Sequence, residues 1–245
     1  MGIEIKWRSK PGTLTDDNRD YCGVGLSDDA ALCVVLDGST SCPTSGEFAR
    51  EIARSLIDWF TSAGKVTVEA ITDSLRAIHG DLSVDFRRDS ASLVIAHIDN
   101  ERTVKLLHVG DCLAGVCEGG AAVEWSVKPH TLINALDDLP VADIAESCLR
   151  NRLTRSFRGR GFMAPTVTEL TLRDDQALVL ATDGFWAALG AEAQARFLFD
   201  DDLPRTGGQL QDDCSALLLR RSRNGVIEVN RETSVNLYIA RADAS

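Results

Sequence analysis

Short apolar segments separated by turn-forming clusters run through most of this sequence, and they constrain the fold more than any other feature. Residues 21–26 and 31–36 are two such segments, and Ser27-Asp28-Asp29 between them predicts a β-hairpin. Strands that follow one another through short turns pair antiparallel, whereas parallel neighbours need long crossover connections. The sequence therefore predicts mainly antiparallel sheets.

The hydrophobic period changes to three or four residues after the first hairpin. Residues 45–60 and 67–86 each place apolar side chains on one face at this spacing, which predicts two amphipathic helices. Residues 185–199 predict a further helix, and residues 141–149 a short one. Because strands and helices occur in clusters, we expect a single α+β domain spanning residues 1–245.

Later strands are predicted where apolar runs are bounded by Gly, Asp and Asn. These runs are residues 91–98, 103–109, 113–117, 121–125, 166–172, 177–181 and 214–219. We expect residues 166–172 to pair with residues 177–181 across the turn at 173–176. Residues 226–229 and 235–239 predict a final hairpin.

Charge and composition narrow the functional classes. The chain has 26 Lys and Arg against 37 Asp and Glu, a net charge of −11, which argues against a nucleic-acid partner. No apolar run approaches the roughly 18 residues of a membrane span, and residues 1–12 lack a signal-peptide core. The seven cysteines include no CxxC pair, which favours free thiols over zinc or disulfides. We therefore expect a cytoplasmic monomer without membrane contact.

Three aspartates, Asp37, Asp111 and Asp183, each follow an apolar strand and adjoin a glycine. A single Asp-Gly after a strand is usually a turn. A carboxylate at the edge of an apolar core is costly unless it is paired or binds metal, however, and few basic residues adjoin these three. Oxygen ligands without His or Cys favour Mg²⁺ or Mn²⁺ over zinc. Residue chemistry alone leaves open whether the three converge in space.

Seven motifs follow one another along residues 10–220. They are Asp17-Asn18-Arg19-Asp20, Val35-Leu36-Asp37-Gly38, Ser90-Ala91-Ser92-Leu93, Val109-Gly110-Asp111-Cys112, Lys128-Pro129-His130, Leu180-Ala181-Thr182-Asp183-Gly184-Phe185-Trp186 and Asp212-Asp213-Cys214-Ser215. In this order they resemble the PP2C (PPM) family of metal-dependent protein serine/threonine phosphatases, in its bacterial form. Each motif alone is weak, but the ordered set covers nearly the whole chain and is specific.

The resemblance implies a four-layer αββα sandwich, in which two antiparallel sheets pack face to face and helices flank them. It also implies a reaction: hydrolysis of phosphoserine or phosphothreonine in a phosphorylated protein. In the family, two divalent cations, Mn²⁺ or Mg²⁺, activate the attacking water, and many relatives have a third, looser metal site.

The resemblance carries the metal ligands over to positions of this chain. The implied ligands are Asp20, Asp37, Gly38, Asp111, Asp183 and Asp212. Asp37 would bridge two cations, and Asp37 and Asp183 are the implied catalytic residues. Asp183 and Asp212 would hold the first cation. The Gly38 carbonyl and Asp20 would serve the second.

Three positions depart from the family pattern. Thr15 stands where the family usually has an arginine that binds the substrate phosphate, so the substrate-binding residues stay unassigned. Ala187 stands where a carboxylate often occurs, so a third cation at Asp111 would lose a ligand. Ser39 stands where eukaryotic members often have a histidine, so that protonation of the leaving group by histidine is not available. Basic residues that could replace the missing arginine are Arg8, Lys10 and Arg19.

Two alternatives to a phosphatase remain at this level. The first is a catalytically weak relative that binds a phosphoprotein or another partner, which the missing arginine favours. The second is an unrelated Mg²⁺-dependent hydrolase acting on a nucleotide or small phosphoester. The complete carboxylate set favours the phosphatase, because unpaired buried charges destabilise a fold that binds no metal.

Overall fold

The structure is a computed structural model that describes residues 2–99, 103–200, 210–222, 228–230 and 236–242. Two β-sheets pack face to face, and helices cover their outer faces. The strands are β1 (Gly2–Lys10), β2 (Asp20–Leu26), β3 (Ala31–Gly38), β4 (Ser90–Ile98), β5 (Thr103–Val109), β6 (Leu113–Glu118), β7 (Glu124–Trp125), β8 (Phe157–Arg158), β9 (Thr166–Thr171), β10 (Gln176–Ala181), β11 (Cys214–Ser222), β12 (Glu228–Asn230) and β13 (Leu237–Arg241). The helices are α1 (Ser45–Ser62), α2 (Val68–Leu82), α3 (Leu132–Leu136), α4 (Val141–Glu146), α5 (Asp183–Trp186) and α6 (Ala191–Phe199). The predicted four-layer α+β fold is confirmed.

The first sheet has the strand order β12-β1-β11-β10-β6-β7, and the second has the order β13-β2-β3-β4-β5-β9, with β8 beside β4. Most neighbours pair antiparallel, as the short turns predict. At the outer edges β12 pairs parallel with β1, and β13 pairs parallel with β2. The last part of the chain thus adds one edge strand to each sheet.

Strand β3 shows why its sequence is apolar at successive positions. Leu32, Val34 and Leu36 point to one face and pack in the cluster that contains α1 and α2. Cys33 and Val35 point to the other face and pack against the first sheet. A strand that is buried on both faces needs apolar residues without alternation.

The helices bury one apolar side each, as their spacing predicts. In α1, Phe48, Ile52 and Leu56 are fully buried against the second sheet. On the opposite side of the molecule, Ile144 of α4 and Phe197 of α6 belong to the core of the first sheet. Within the described ranges, no helix has the length and apolar character that a membrane crossing requires.

Two predicted strand pairings are wrong. Strand β9 pairs with β5 in the second sheet, whereas β10 pairs with β6 and β11 in the first, so residues 173–176 connect two sheets. Likewise β12 and β13 lie in different sheets and form no hairpin, and residues 226–227 and 231–235 lie outside the described part. A strand's own sequence indicates that it is a strand but does not specify its partner.

The predicted helix at residues 185–199 is in fact two helices. The chain leaves α5 at Trp186 and begins α6 at Ala191, with Gly190 as the N-cap. All seven cysteines are free, and five of them are buried, which confirms the expectation of unpaired thiols in apolar surroundings.

Antiparallel pairing places the ends of several strands side by side. Strands β3, β5 and β10 end on the side of the molecule where β2, β4 and β11 begin. In the register of the second sheet, Asp20 lies opposite Asp37, and Asp37 lies opposite Ser92. Residues at the ends of these strands therefore become neighbours although they are far apart in the sequence.

Candidate active site

Four of the five predicted carboxylates line one cavity of about 180 Å³ at this edge: Asp37, Asp111, Asp183 and Asp212. The fifth, Asp20, is 1% exposed and lies behind Asp37 on the neighbouring strand. Polar uncharged side chains form much of the remaining wall; they are Ser39, Thr40, Ser90, Ser92, Asn151 and Ser156. The structure thus places in one cavity four carboxylates that are far apart in the sequence.

Asp20 is held by a hydroxyl and keeps one oxygen free. The Thr182 hydroxyl donates to Asp20 Oδ2 at 3.0 Å, and Thr182 directly precedes Asp183. Asp20 Oδ1 is buried and has no hydrogen-bond partner. Because an unpartnered buried carboxylate oxygen is unfavourable, this atom is available to a bound cation.

Asp111 is positioned by a glycine turn. Gly110 has a φ of +102°, and a side chain there would overlap Ser92. The Ser92 hydroxyl donates to Asp111 Oδ1 at 2.5 Å and accepts the Asp111 N–H at 3.2 Å. Ser92, on β4, therefore holds both the backbone and the carboxylate of Asp111.

Two histidines support the same turn from behind. His108 and His130 stack with ring centroids 4.5 Å apart. His130 Nδ1 accepts the Gly110 N–H at 3.1 Å, and burial, followed by the charge of nearby His108, lowers the pKa of His130 to about 4. Neither ring belongs to the cavity wall. These contacts give both histidines a structural role.

The glycines after Asp37 and Asp183 permit close contact between backbone segments. Neither Gly38 nor Gly184 has a positive φ. A Cβ on Gly38 would lie 2.5 Å from the Ser45 carbonyl oxygen, and one on Gly184 would overlap the Asp213 carbonyl oxygen. Gly184 therefore lets the turn that carries Asp183 pack against the start of β11.

The adjacent aspartates Asp212 and Asp213 have different surroundings. Asp213 Oδ1 accepts the Gly12 N–H at 2.8 Å, and its Oδ2 accepts the Arg19 N–H at 2.7 Å. Both oxygens of Asp213 thus hold the loop between β1 and β2. Asp212, the residue of the pair that was predicted as a metal ligand, lines the cavity instead.

Arg8 and Arg19, near the N-terminus, bind groups outside the carboxylate cluster. The Arg19 guanidinium donates to the Ser39 and Cys42 carbonyl oxygens at 3.0 and 2.9 Å, and buried Arg8 donates to the Phe197 carbonyl oxygen. The site instead has an arginine that sequence reasoning missed: Arg150 Nη1 lies 3.0 Å from Asp183 Oδ2. Arg150 occurs in an irregular segment without a motif, so no sequence signal identified it.

A family model described as Protein phosphatase 2C matches residues 15–211. The chain belongs to the protein phosphatase 2C family. Comparison with curated protein sequences finds no match.

Solved structures of bacterial phosphatases share the fold of this PP2C-family chain. The serine/threonine phosphatase of S. agalactiae superimposes with a TM-score of 0.74 at 16% identity, covering 90% of this chain and 100% of that one. The Mycobacterium tuberculosis phosphatase PstP/Ppp gives 0.74 at 16% identity, covering 91% and 100%. The catalytic domain of PstP, solved in complex with 2 manganese ions, gives 0.67 at 15% identity, covering 89% and 97%.

Two departures from the PP2C motif pattern have structural counterparts. Thr15 is half-buried, lies outside the cavity wall, and donates its hydroxyl to the Asp17 carbonyl oxygen at 2.7 Å. Ala187 borders an apolar cavity together with Trp125 and Trp186. Within the described part of the chain, neither Thr15 nor Ala187 belongs to the wall of the cavity that Asp37, Asp111, Asp183 and Asp212 line.

The donor set of this PP2C-family site fits divalent cations. Within the described residues, no three Asp, Glu, His or Cys side chains lie close enough together to enclose an ion. A divalent cation offsets the mutual repulsion of neighbouring carboxylates. The four aspartates on one cavity wall and the unpartnered Asp20 Oδ1 supply hard oxygen ligands of the kind that Mg²⁺ and Mn²⁺ prefer.

Mutual repulsion and burial also appear in the pKa values. Burial, and then the charge of Asp111, raises the pKa of Asp183 to about 6, although Arg150 opposes the rise. Burial, and then the charge of Asp183, raises the pKa of Asp212 to about 6. Burial likewise raises the pKa of Asp20 and Asp37 well above the usual range. The cluster therefore carries an electrostatic cost at neutral pH.

That cost predicts how stability depends on pH when EDTA is present. The Asp212 carboxyl has a pKa of about 6 in the folded chain against an ordinary value of 3.8, so between these pH values the folded state binds more protons than the unfolded state. Protonated Asp212 therefore contributes on the order of 1–3 kcal/mol to the free energy of unfolding. This contribution is fully present below about pH 4 and is lost as the pH rises through about 6. Urea denaturation should therefore give a difference in stability between Asp212→Asn and wild type that favours the variant more at about pH 7 than at about pH 5. An equal difference at both pH values would contradict the prediction.

Proposed function

We propose that this PP2C-family chain is a metal-dependent protein phosphatase that hydrolyses phosphoserine and phosphothreonine. The observation that carries the proposal is the meeting of Asp37, Asp111, Asp183 and Asp212 on one cavity wall within a PP2C fold. The similar solved structures are serine/threonine phosphatases, which supports phosphorylated proteins as the substrate class.

Each aspartate has a proposed role as a metal ligand. Asp37 would be a ligand of both cations, because it lies opposite Asp20 on the neighbouring strand and lines the cavity with the other carboxylates. Asp183 and Asp212 would hold the first cation, and the Gly38 carbonyl and Asp20 would serve the second. The proposed cation is Mn²⁺ or Mg²⁺, and the manganese complex of PstP supports the former.

Asp111 would belong to a third, looser cation site. Ser92 fixes the Asp111 carboxylate, which lines the cavity. Ala187 has no carboxylate, and it borders a different, apolar cavity. A third site would thus have one protein ligand fewer than the family pattern provides.

The chain's own groups prepare the site for a phosphate ester. Bound divalent cations supply positive charge that lowers the pKa of a water and stabilises charge on the phosphate oxygens. Thr182 and Ser92 fix the carboxylates of Asp20 and Asp111 in advance, so that little reorganisation is needed. The hydroxyl groups along the cavity wall can donate hydrogen bonds to phosphate oxygens.

A second candidate is a binding module for a phosphoprotein with weak or no catalysis. It is favoured by Thr15, which lies outside the cavity wall and places no basic group there. The carboxylate cluster opposes it, because a protein that binds no metal gains nothing from the repulsion among Asp37, Asp183 and Asp212.

Hydrolysis of p-nitrophenyl phosphate and of a phosphothreonine peptide tests the proposal. Each substrate is assayed with Mn²⁺, with Mg²⁺ and with EDTA. We expect turnover with a divalent cation and loss of turnover in EDTA. Activity that resists EDTA would contradict the metal-dependent mechanism. Absence of turnover in protein that demonstrably binds the cation would favour the binding module.

A further inference from the structure

Arg150 is unusual among the basic residues of this chain because of what it contacts. Within the described ranges, it is the only Lys or Arg with an ion pair to one of the five candidate ligands, which are Asp20, Asp37, Asp111, Asp183 and Asp212. Its Nη1 donates to Asp183 Oδ2 at 3.0 Å. Asp183 lines the cavity, and so does Asn151, which follows Arg150 in the sequence. Arg150 therefore stands at the rim of the cavity.

The backbone that carries Arg150 is held by hydrogen bonds. The Arg150 N–H donates to the Ser147 carbonyl oxygen at 3.1 Å, and the Leu149 N–H donates to the Ser147 hydroxyl at 3.2 Å. The Arg152 carbonyl oxygen accepts the Leu132 N–H at 2.7 Å. The turn is thus tied on both sides of Arg150, and the guanidinium extends from a fixed stem.

Most of the donor capacity of this guanidinium is uncommitted within the described structure. A guanidinium has five N–H donors, and the side chain of Arg150 makes one hydrogen bond there, to Asp183. The side chain is 25% exposed, and its partner Asp183 lines the cavity. Planar guanidinium groups bind two oxygens of a phosphate at once, which ammonium groups do not.

The negative charge of the cavity bears on the role of this guanidinium. A cavity lined by four carboxylates repels a phosphate until cations neutralise the carboxylates. Asp183 has two oxygens, and Arg150 uses one of them. Carboxylates that ligate metals commonly accept a hydrogen bond that orients them, so a cation on Asp183 and its contact with Arg150 are compatible.

We propose that Arg150 binds the phosphate group of the substrate at the rim of the cavity, with Asp183 holding the guanidinium in place. The inference rests on the proposed function for placing that phosphate on a phosphoprotein. Binding of phosphate itself can be tested separately from hydrolysis.

Calorimetric titration with inorganic phosphate provides the test, in the presence of Mg²⁺ and again in EDTA. The variants are Arg150→Gln and Arg150→Lys, with Arg152→Gln as the matched control from the same turn. We expect Arg150→Gln to weaken phosphate binding at least about tenfold, since a charge-assisted contact is lost. Arg150→Lys should fall between Arg150→Gln and wild type, and Arg152→Gln should match wild type. Mg²⁺ affinity should not fall in Arg150→Gln, because removing a positive charge does not weaken a cation site.

Three results would overturn the inference: equal phosphate affinity in Arg150→Gln and wild type, an equal loss in Arg152→Gln, or no phosphate binding by wild type in either condition. Failure of the proposed function gives a different pattern. In that case Arg150-dependent phosphate binding persists, but the phosphothreonine peptide is not hydrolysed with any cation.

Discussion

Replacing Asp37 with Asn should abolish metal-dependent hydrolysis, lowering kcat/KM by about a thousandfold or more, while the fold remains intact. Asp37 is the centre of the cluster: burial, and then the charges of Asp183, Asp20, Asp111 and Asp212, raise its pKa. Asn keeps the shape of the side chain but removes the charge that a shared cation requires.

The matched control is Asp175→Asn, which removes one negative charge from an exposed turn. We expect wild-type hydrolysis in this control. In EDTA, Asp37→Asn should be at least as stable to urea as wild type, because one of the repelling carboxylates is gone. Substantial metal-dependent hydrolysis by a folded Asp37→Asn protein would contradict the role assigned to this residue.

Gly184→Ala should lower the free energy of unfolding by about 3 kcal/mol, since an added methyl group has no space. The new Cβ would overlap the Asp213 carbonyl oxygen and lie 3.2 Å from the Cα of Cys214. Both obstacles are backbone atoms of the segment that opens β11, so the strain must displace one segment from the other. Asp183 and Asp212 lie on these two segments, and cation affinity should fall together with stability.

Gly64→Ala is the control for this substitution, because a Cβ at Gly64 has no heavy atom within 4 Å. Urea denaturation should give nearly unchanged stability in this control. If Gly184→Ala proved as stable as Gly64→Ala, the close packing of the Asp183 turn against β11 would not be a constraint on the site.

The sequence could predict the carboxylates because their setting is local. Asp37 and Asp183 end apolar strands, and the turn at residues 27–29 correctly pairs β2 with β3, which places Asp20 opposite Asp37. The approach of these residues to Asp183 and Asp212 could not be predicted in this way. It depends on how two sheets stack, and no local pattern in either sheet specifies the other.

The wrong pairings have the same physical origin. Residues 173–176 have the composition of a hairpin turn, yet they lead from β9 in one sheet to β10 in the other. Strand β13 pairs parallel with β2, which a hairpin pattern does not anticipate. Turn-forming residues allow the chain to reverse, but side-chain packing decides which neighbour the next strand joins.

Arg150 shows the limit of motif-based prediction most clearly. It is 33 residues from Asp183 in the sequence and donates a hydrogen bond to it. It lies on a turn whose residues show no periodic pattern. Arg8 and Arg19 are closer to the first motif, yet their guanidinium groups bind backbone carbonyl oxygens. Proximity in sequence was therefore a poor guide to the basic residue at the site.

The most direct test of the carboxylate site is the number of Mn²⁺ ions that the chain binds, measured by equilibrium dialysis near neutral pH. We predict at least two ions per chain for wild type and fewer for Asp37→Asn, because a shared ligand is lost. Fewer than two ions in wild type, or the same number in Asp37→Asn, would contradict a two-cation site built on Asp37.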